Sequence, residues 1–296
     1  MLAAAAGLGL LFFAASCSRP QHERSAHGSA DRAPTAPPSS RTVLFVHGMY
    51  MTPLCWEAWE SYFRERGYTT LAPAWPLHDA PIAAQRQEHP SARLGALTLD
   101  EILASYRKII SGLPEKPILI GHSMGGLVVQ LLLAEGLGVA GVAIDSAPPQ
   151  GLLSLKWSFV RSNWPVLNPS ANLGTPIDLS FSQFQYAFTN GMAEPEQRAA
   201  YTRYVVPESR RVGKGPTTAV AKIDYSRPRP PLLLIAGATD QIIPASLNYS
   251  NFRLYADTPA VTEYHEFSGR NHWLIADSGW QEVAGYTLSW LRGGSL

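Results

Sequence analysis

Charge is scarce in this chain. Only 16% of its 296 residues are Asp, Glu, Lys or Arg, and the net charge is +1. A near-neutral balance argues against nucleic acid or a strongly ionic partner. Cysteine is scarcer still: Cys17 and Cys55 are the two. They cannot form the paired clusters of a structural metal site or of a disulfide scaffold. No repeat at the periods of solenoids or propellers stands out. What the chain does have is apolar residues, 46% of the total. That supports a sizeable core, as one large α/β domain with insertions or as two small domains.

The first 41 residues lie apart from that core. Leu2 to Ala15 is an apolar run too short to span a bilayer comfortably. It ends Phe13-Ala14-Ala15-Ser16-Cys17, which resembles a bacterial lipoprotein signal with Cys17 as the acylated residue. Export is expected, with attachment to the cell envelope through Cys17. A plain secretory signal and an uncleaved anchor are the alternatives. Residues 18–41 are rich in Ser, Arg, Pro and Ala and nearly devoid of large apolar groups. Such a segment cannot offset its ordering entropy, so a flexible tether is expected. With Cys17 acylated, Cys55, between Leu54 and Trp56, reads as a small buried hydrophobe.

From Thr42 the pattern alternates. Buried strands are predicted at Thr42–Val46, Tyr68–Ala72, Ile118–Ile120 and Val139–Ile144. Helices with an apolar face are predicted at Pro53–Arg66, at Leu94–Ile110 and from Met124 onward. Residues 73–93 read as irregular. This succession implies right-handed crossovers and a parallel sheet. Between the third strand and its helix stands Gly121-His122-Ser123-Met124-Gly125. Chance alone produces Gly-x-Ser-x-Gly in about one such chain in ten, so its position must decide. Here a strand becomes a helix with no room for a loop. The turn must be sharp, Ser123 strained, and its neighbours small where the backbones cross.

Four further places could complete a site around Ser123. His47-Gly48-Met49-Tyr50 follows the first strand and is either a plain turn or a loop presenting the Met49 amide. His47 itself reads as a structural loop residue. Asp145 ends the fourth strand, where it either caps the turn or serves as an acid. Residues 149–226 then break the alternation with many aromatics, Pro and Asn, and contain one clear helix at Glu194–Tyr204. An excursion of this length between core strands is expected to cover the carboxyl edge of the sheet, where open α/β sheets bind ligands. Most of its aromatics should form its own core, and a few should line an apolar pocket. The sheet resumes at Pro230–Gly237 and is followed by Asp240. The last strand, Val261–Phe267, is followed by His272, and a closing helix runs from about Gly279 to Leu291.

His47-Gly48, Gly121-His122-Ser123-Met124-Gly125-Gly126, Gly237-x-x-Asp240 and Gly269-x-x-His272 together resemble the α/β-hydrolase superfamily, specifically its capped serine esterases and lipases. The resemblance covers residues 42–148 and 227–296. It implies an α/β fold, a mostly parallel sheet with helices on both faces and a helical cap (149–226) inserted after the sixth strand. It also implies a nucleophile Ser123, a base His272, an acid Asp240, and an oxyanion hole made by the Met49 and Met124 backbone amides. Asp145 remains the alternative acid. The expected activity is hydrolysis of fairly apolar carboxylic esters through an acyl-enzyme, with no cofactor and no metal. A small or lipid-like ester is the expected partner; oligomeric state is not indicated. The same three side chains also serve perhydrolases of the haloperoxidase type, acyltransferases and carbon–carbon bond hydrolases. A non-catalytic envelope binding protein is the reading from a different class.

Overall fold

Four apolar runs become strands buried along their whole length: β1 (Thr42–Val46), β3 (Ile118–His122), β4 (Ala140–Ile144) and β5 (Leu232–Gly237). The short β2 (Thr69–Leu71) and the alternating β6 (Thr262–Phe267) are partly exposed. The computed structural model explains the difference by position, since the strand order is β2-β1-β3-β4-β5-β6. The inner four are covered on both faces, and the edge strands are not. Every pairing is parallel. The structure describes residues 38–256, 258 and 260–293. The leader with Cys17, and the tether up to residue 37, lie outside the described residues.

The helices are α1 (Glu57–Arg64), α2 (Ile82–Glu88), α3 (Ala92–Ala96), α4 (Leu99–Ser111), α5 (Met124–Ala134), α6 (Trp157–Leu167), α7 (Phe181–Ala187), α8 (Glu194–Tyr204), α9 (Arg210–Lys214), α10 (Ala245–Arg253) and α11 (Trp280–Leu291). Alternate residues of β5 show how they cover the sheet. Leu232, Leu234 and Ala236 pack with Ala245 and Phe252 of α10, whereas Leu233 and Ile235 join the cluster that holds Val283 and Leu288 of α11. The period of two places helices on both faces, as expected.

Local chemistry moves several boundaries. Pro53–Trp56 forms a 3-10 turn before α1, because Thr52 caps it and proline suits a first turn. The single helix expected over Leu94–Ile110 is broken into α3 and α4. Thr98 and Glu101 form a capping box there, which starts a new helix in mid-run. The stretch 73–93, expected to be irregular, contains α2.

The insertion between β4 and β5 carries α6 to α9. It enters after β4, the fourth strand of the described sheet, and not after a sixth; only β5 and β6 follow it. Its polar groups fasten to loops at the carboxyl edge. Val206 donates its amide to the Tyr50 carbonyl at 2.9 Å, and Asn190 and Asn163 donate side-chain amides to the carbonyls of Thr239 and Ile242. Asn271 returns a bond to the Asn190 carbonyl at 2.8 Å. The insertion is thus tied to the loops after β1, β5 and β6.

Candidate active site

Ser123 sits at the junction of β3 and α5 with φ 57° and ψ −122°, a region that side chains rarely occupy. Two glycines make the turn feasible. A Cβ on Gly125 would lie 2.2 Å from the Val46 carbonyl oxygen, and one on Gly48 would lie 2.8 Å from the Ser123 Cβ. The loop after β1 therefore runs directly beside the serine. Met124 opens α5, so its N–H has no intrahelical acceptor, and the Met49 N–H donates to no described residue.

His272 and Asp240 meet in the interior. His272 Nδ1 lies 2.6 Å from Asp240 Oδ2, with both side chains fully buried. The other oxygen of Asp240 accepts the amides of Ile242 and Ile243 at 2.6 and 2.9 Å. Those two amides fix the carboxyl plane, so that Oδ2 is aimed at the ring. A carboxylate partner places the proton on Nδ1 and leaves Nε2 as the basic atom. Nε2 is buried and makes no hydrogen bond, so the Ser123 hydroxyl is not bonded to it in this arrangement. Burial pushes the imidazole well below its ordinary range, because a cation there loses its hydration.

The loop carrying His272 is held from several sides. Trp59 of α1 donates to the Ile275 carbonyl at 2.8 Å, and Asn271 Oδ1 accepts the Trp273 amide. The buried Trp273 ring packs on Phe184 and Tyr204 from the insertion. His122, next to Ser123, donates Nε2–H to the His272 carbonyl at 2.8 Å, and the two rings are 4.6 Å apart. Phe188 stands edge-on over His272 at 5.1 Å and shares a cavity wall with Ser123. Ser123, Asp240 and His272, read as a set from the sequence, thus occupy one edge of the sheet, with Met49 and Met124 flanking the serine.

Asp145 is brought there too. Its φ is 42°, its Oδ1 accepts the Gly237 amide at 2.7 Å, and its Oδ2 lies 3.9 Å from His272 Nδ1. That separation is beyond hydrogen-bond reach, so Asp240 is the carboxyl bonded to the ring. No N–H or O–H group donates to Oδ2 of Asp145. Burial, and then the Asp240 carboxyl beside it, raise Asp145 well above the carboxylate range. Asp240 is raised by burial as well. Two buried carboxyls side by side cannot both ionise cheaply, which works against charging Asp145 while Asp240 is ionised.

Two residues of the site carry no sequence signal. Glu208, from the insertion, is fully buried and accepts the Tyr50 amide at 3.3 Å and the Ser209 amide at 2.6 Å. Its partner is His78 at 3.2 Å; burial works against the imidazolium, but the Glu208 carboxylate wins and holds it above its ordinary range. Tyr50, with φ 64°, is therefore gripped at its N–H and, through Val206, at its carbonyl. His47 behaves as the structural residue expected: Nδ1–H donates to the Gly48 carbonyl, and Nε2 accepts the Trp75 amide.

Among the described residues, His122, Asp145 and His272 have possible metal-ligand atoms within 4.8 Å of one another. Their bonds to the His272 carbonyl, Gly237 and Asp240 already orient all three side chains. A cavity of about 100 Å³ opens at Ser123, lined by Met49, Met124, Phe159, Val166, Phe188 and Ile243 among others. A wider polar groove of about 440 Å³ lies beside Asp240, but Ser123 is not on its wall. Ser123 lines the smaller, apolar cavity.

An alpha/beta hydrolase family model matches residues 43–285. The chain belongs to the alpha/beta hydrolase family. Its fold resembles solved structures across most of its length. Polyneuridine aldehyde esterase is 15% identical with a TM-score of 0.62, covering 85% of this chain and 99% of that one. The monoacylglycerol lipase of Paleococcus ferrophilus is 19% identical with a TM-score of 0.60, covering 88% and 96%. An extracellular alpha/beta-hydrolase from a Paenibacillus species is 22% identical with a TM-score of 0.63, covering 84% and 98%. No curated protein sequence matches this one.

The two carboxyls give opposite expectations on amidation. Asp240→Asn should lower kcat by about 10⁴-fold, because an amide stabilises the wrong imidazole tautomer. Asp145→Asn keeps an acceptor for Gly237 and does not bond the imidazole, so kcat should stay within about tenfold. Raised carboxyl values mean that folding takes up protons. The stability this contributes is present below the ordinary carboxyl range and is lost as pH rises through the raised folded value. Thermal melts at pH 8 should therefore show Asp145→Asn no less stable than the parent; a larger kcat loss in Asp145→Asn than in Asp240→Asn would reverse the assignment. The acid limb of kcat/KM should fall below the ordinary imidazole value of about 6.5, since burial lowers His272. A limb centred at or above that value would show that the Asp240 charge outweighs burial.

Proposed function

We propose that this chain is a serine hydrolase of fairly apolar carboxylic esters. The observation that carries the proposal is the buried Asp240–His272 pair lying behind an apolar cavity into which Ser123 opens. A serine hydroxyl is a poor nucleophile until a base takes its proton. In the proposed reaction Ser123 Oγ bonds to the ester carbonyl carbon while His272 Nε2 accepts the hydroxyl proton. The carbonyl electrons move to the oxygen, which is held between the Met49 and Met124 amides and faces the positive end of α5. Each such donor contributes about 3 kcal/mol to the barrier reduction. The ester C–O bond then breaks, and the imidazolium returns the proton to the leaving alcohol. Water repeats the sequence on the acyl-enzyme and releases the acid.

The unpartnered Nε2 suits this cycle. It has a free lone pair, is desolvated, and is without a competing hydrogen bond. The carbon and sulfur side chains on the cavity wall favour an apolar acyl or alkyl group over a charged one. The names of the esterase and lipase neighbours agree with this reading, which otherwise rests on the site.

Mixing the protein with p-nitrophenyl esters of short and medium acyl chains should give a burst of p-nitrophenol followed by steady turnover. Ser123→Ala should abolish the burst and lower turnover by about 10⁴-fold or more, with little change in melting temperature. Turnover retained in that variant would mean that another nucleophile acts.

A further inference from the structure

Of the large apolar side chains that the described residues leave exposed, four crowd into one short stretch. Leu153 is 63% exposed, Leu155 88%, Trp157 72% and Trp164 53%. Trp157, Arg161 and Trp164 are spaced by four and three along α6, so they share its outer face. The inner face of the same helix turns Phe159 and Val166 into the wall of the Ser123 cavity, and Leu153 belongs both to that wall and to the exposed patch. A patch of this kind on a folded chain marks a contact surface.

Charge indicates what it contacts. Between Asp145 and Asp178 the sequence has no acidic residue, while Lys156 and Arg161 lie within the patch. The Arg161 guanidinium stacks on Tyr186, 3.6 Å from the ring centroid, which holds that charge at the rim. Tryptophans beside basic residues on a helix whose opposite face is packed match an element lying in a lipid–water interface. Among the described residues no helix is long and apolar enough to cross a membrane, so the contact would be at the surface.

We propose that residues 153–157 and the outer face of α6 dock on an anionic lipid surface, setting the mouth of the Ser123 cavity against it. The docking stands on the patch itself. Only its use, delivery of a lipid-like ester to Ser123, rests on the proposed hydrolase reading.

The test uses the full chain with Cys17→Ser, so that no acyl chain can attach there, and Leu155→Cys coupled to an environment-sensitive fluorophore. Cys55 is buried and should stay unlabelled. Vesicles of phosphatidylglycerol and phosphatidylcholine should raise the emission at position 155 about twofold or more and shift it to the blue, with a weaker effect for phosphatidylcholine alone. The same label on exposed Lys108 of α4, near the amino edge of the sheet, should not respond. Adding Trp157→Ser and Trp164→Ser should weaken the response about tenfold while the thermal melt is unchanged. No response at position 155, a response equal to that at 108, or a change produced by protein concentration without vesicles would overturn the proposal, the last in favour of a second copy of the chain. Because the readout needs no turnover, an inactive protein that inserts would overturn the hydrolase reading alone.

Discussion

A 2.6 Å hydrogen bond between two fully buried side chains, Asp240 and His272, constrains everything around it. A buried carboxyl beside a buried imidazole is costly unless its remaining lone pairs are satisfied. Here the amides of Ile242 and Ile243 satisfy one oxygen, and the His272 ring bonds the other. His272 Nε2, the atom that takes up the proton in the proposed reaction, is left without a hydrogen-bond partner.

The fold supplies this arrangement through its carboxyl edge. β3, β4, β5 and β6 are followed within a few residues by Ser123, Asp145, Asp240 and His272. Parallel pairing brings four such strand ends side by side with no long-range search by flexible loops. The insertion then closes over them. Phe188 covers the imidazole, Trp273 is wedged between Phe184 and Tyr204, and Glu208 grips the loop that carries Met49. One helix of the insertion, α6, thus makes part of the cavity wall on one face and the exposed Trp157–Trp164 patch on the other.

Much of this is legible in the sequence for physical reasons. Ser123 shows itself because a strand-to-helix turn without a loop demands Gly-x-Ser-x-Gly. The inner strands show because burial on both faces makes them unbroken apolar runs. Asp240 and His272 follow from chain order and the resemblance, while Asp145 stays ambiguous. The ambiguity is real chemistry, since both acids reach the site and only a difference of 2.6 against 3.9 Å separates their roles. Glu208 and His78 are not legible: an isolated acid and a histidine in a proline-rich loop, 130 residues apart by number, form a buried pair only after the insertion folds back. The split between α3 and α4 is legible in principle, through Thr98 and Glu101, but the apolar periodicity running across it hides the break.

The most direct test of the convergence of Ser123 and His272 is covalent trapping. The full chain is treated with a fluorophosphonate, digested, and mapped by mass spectrometry, alongside His272→Ala. A single adduct on the peptide bearing Ser123, forming about 10²- to 10⁴-fold more slowly without the imidazole, is the expected result. An adduct on any other residue, or an unchanged rate in His272→Ala, would contradict the assignment of these residues as nucleophile and base.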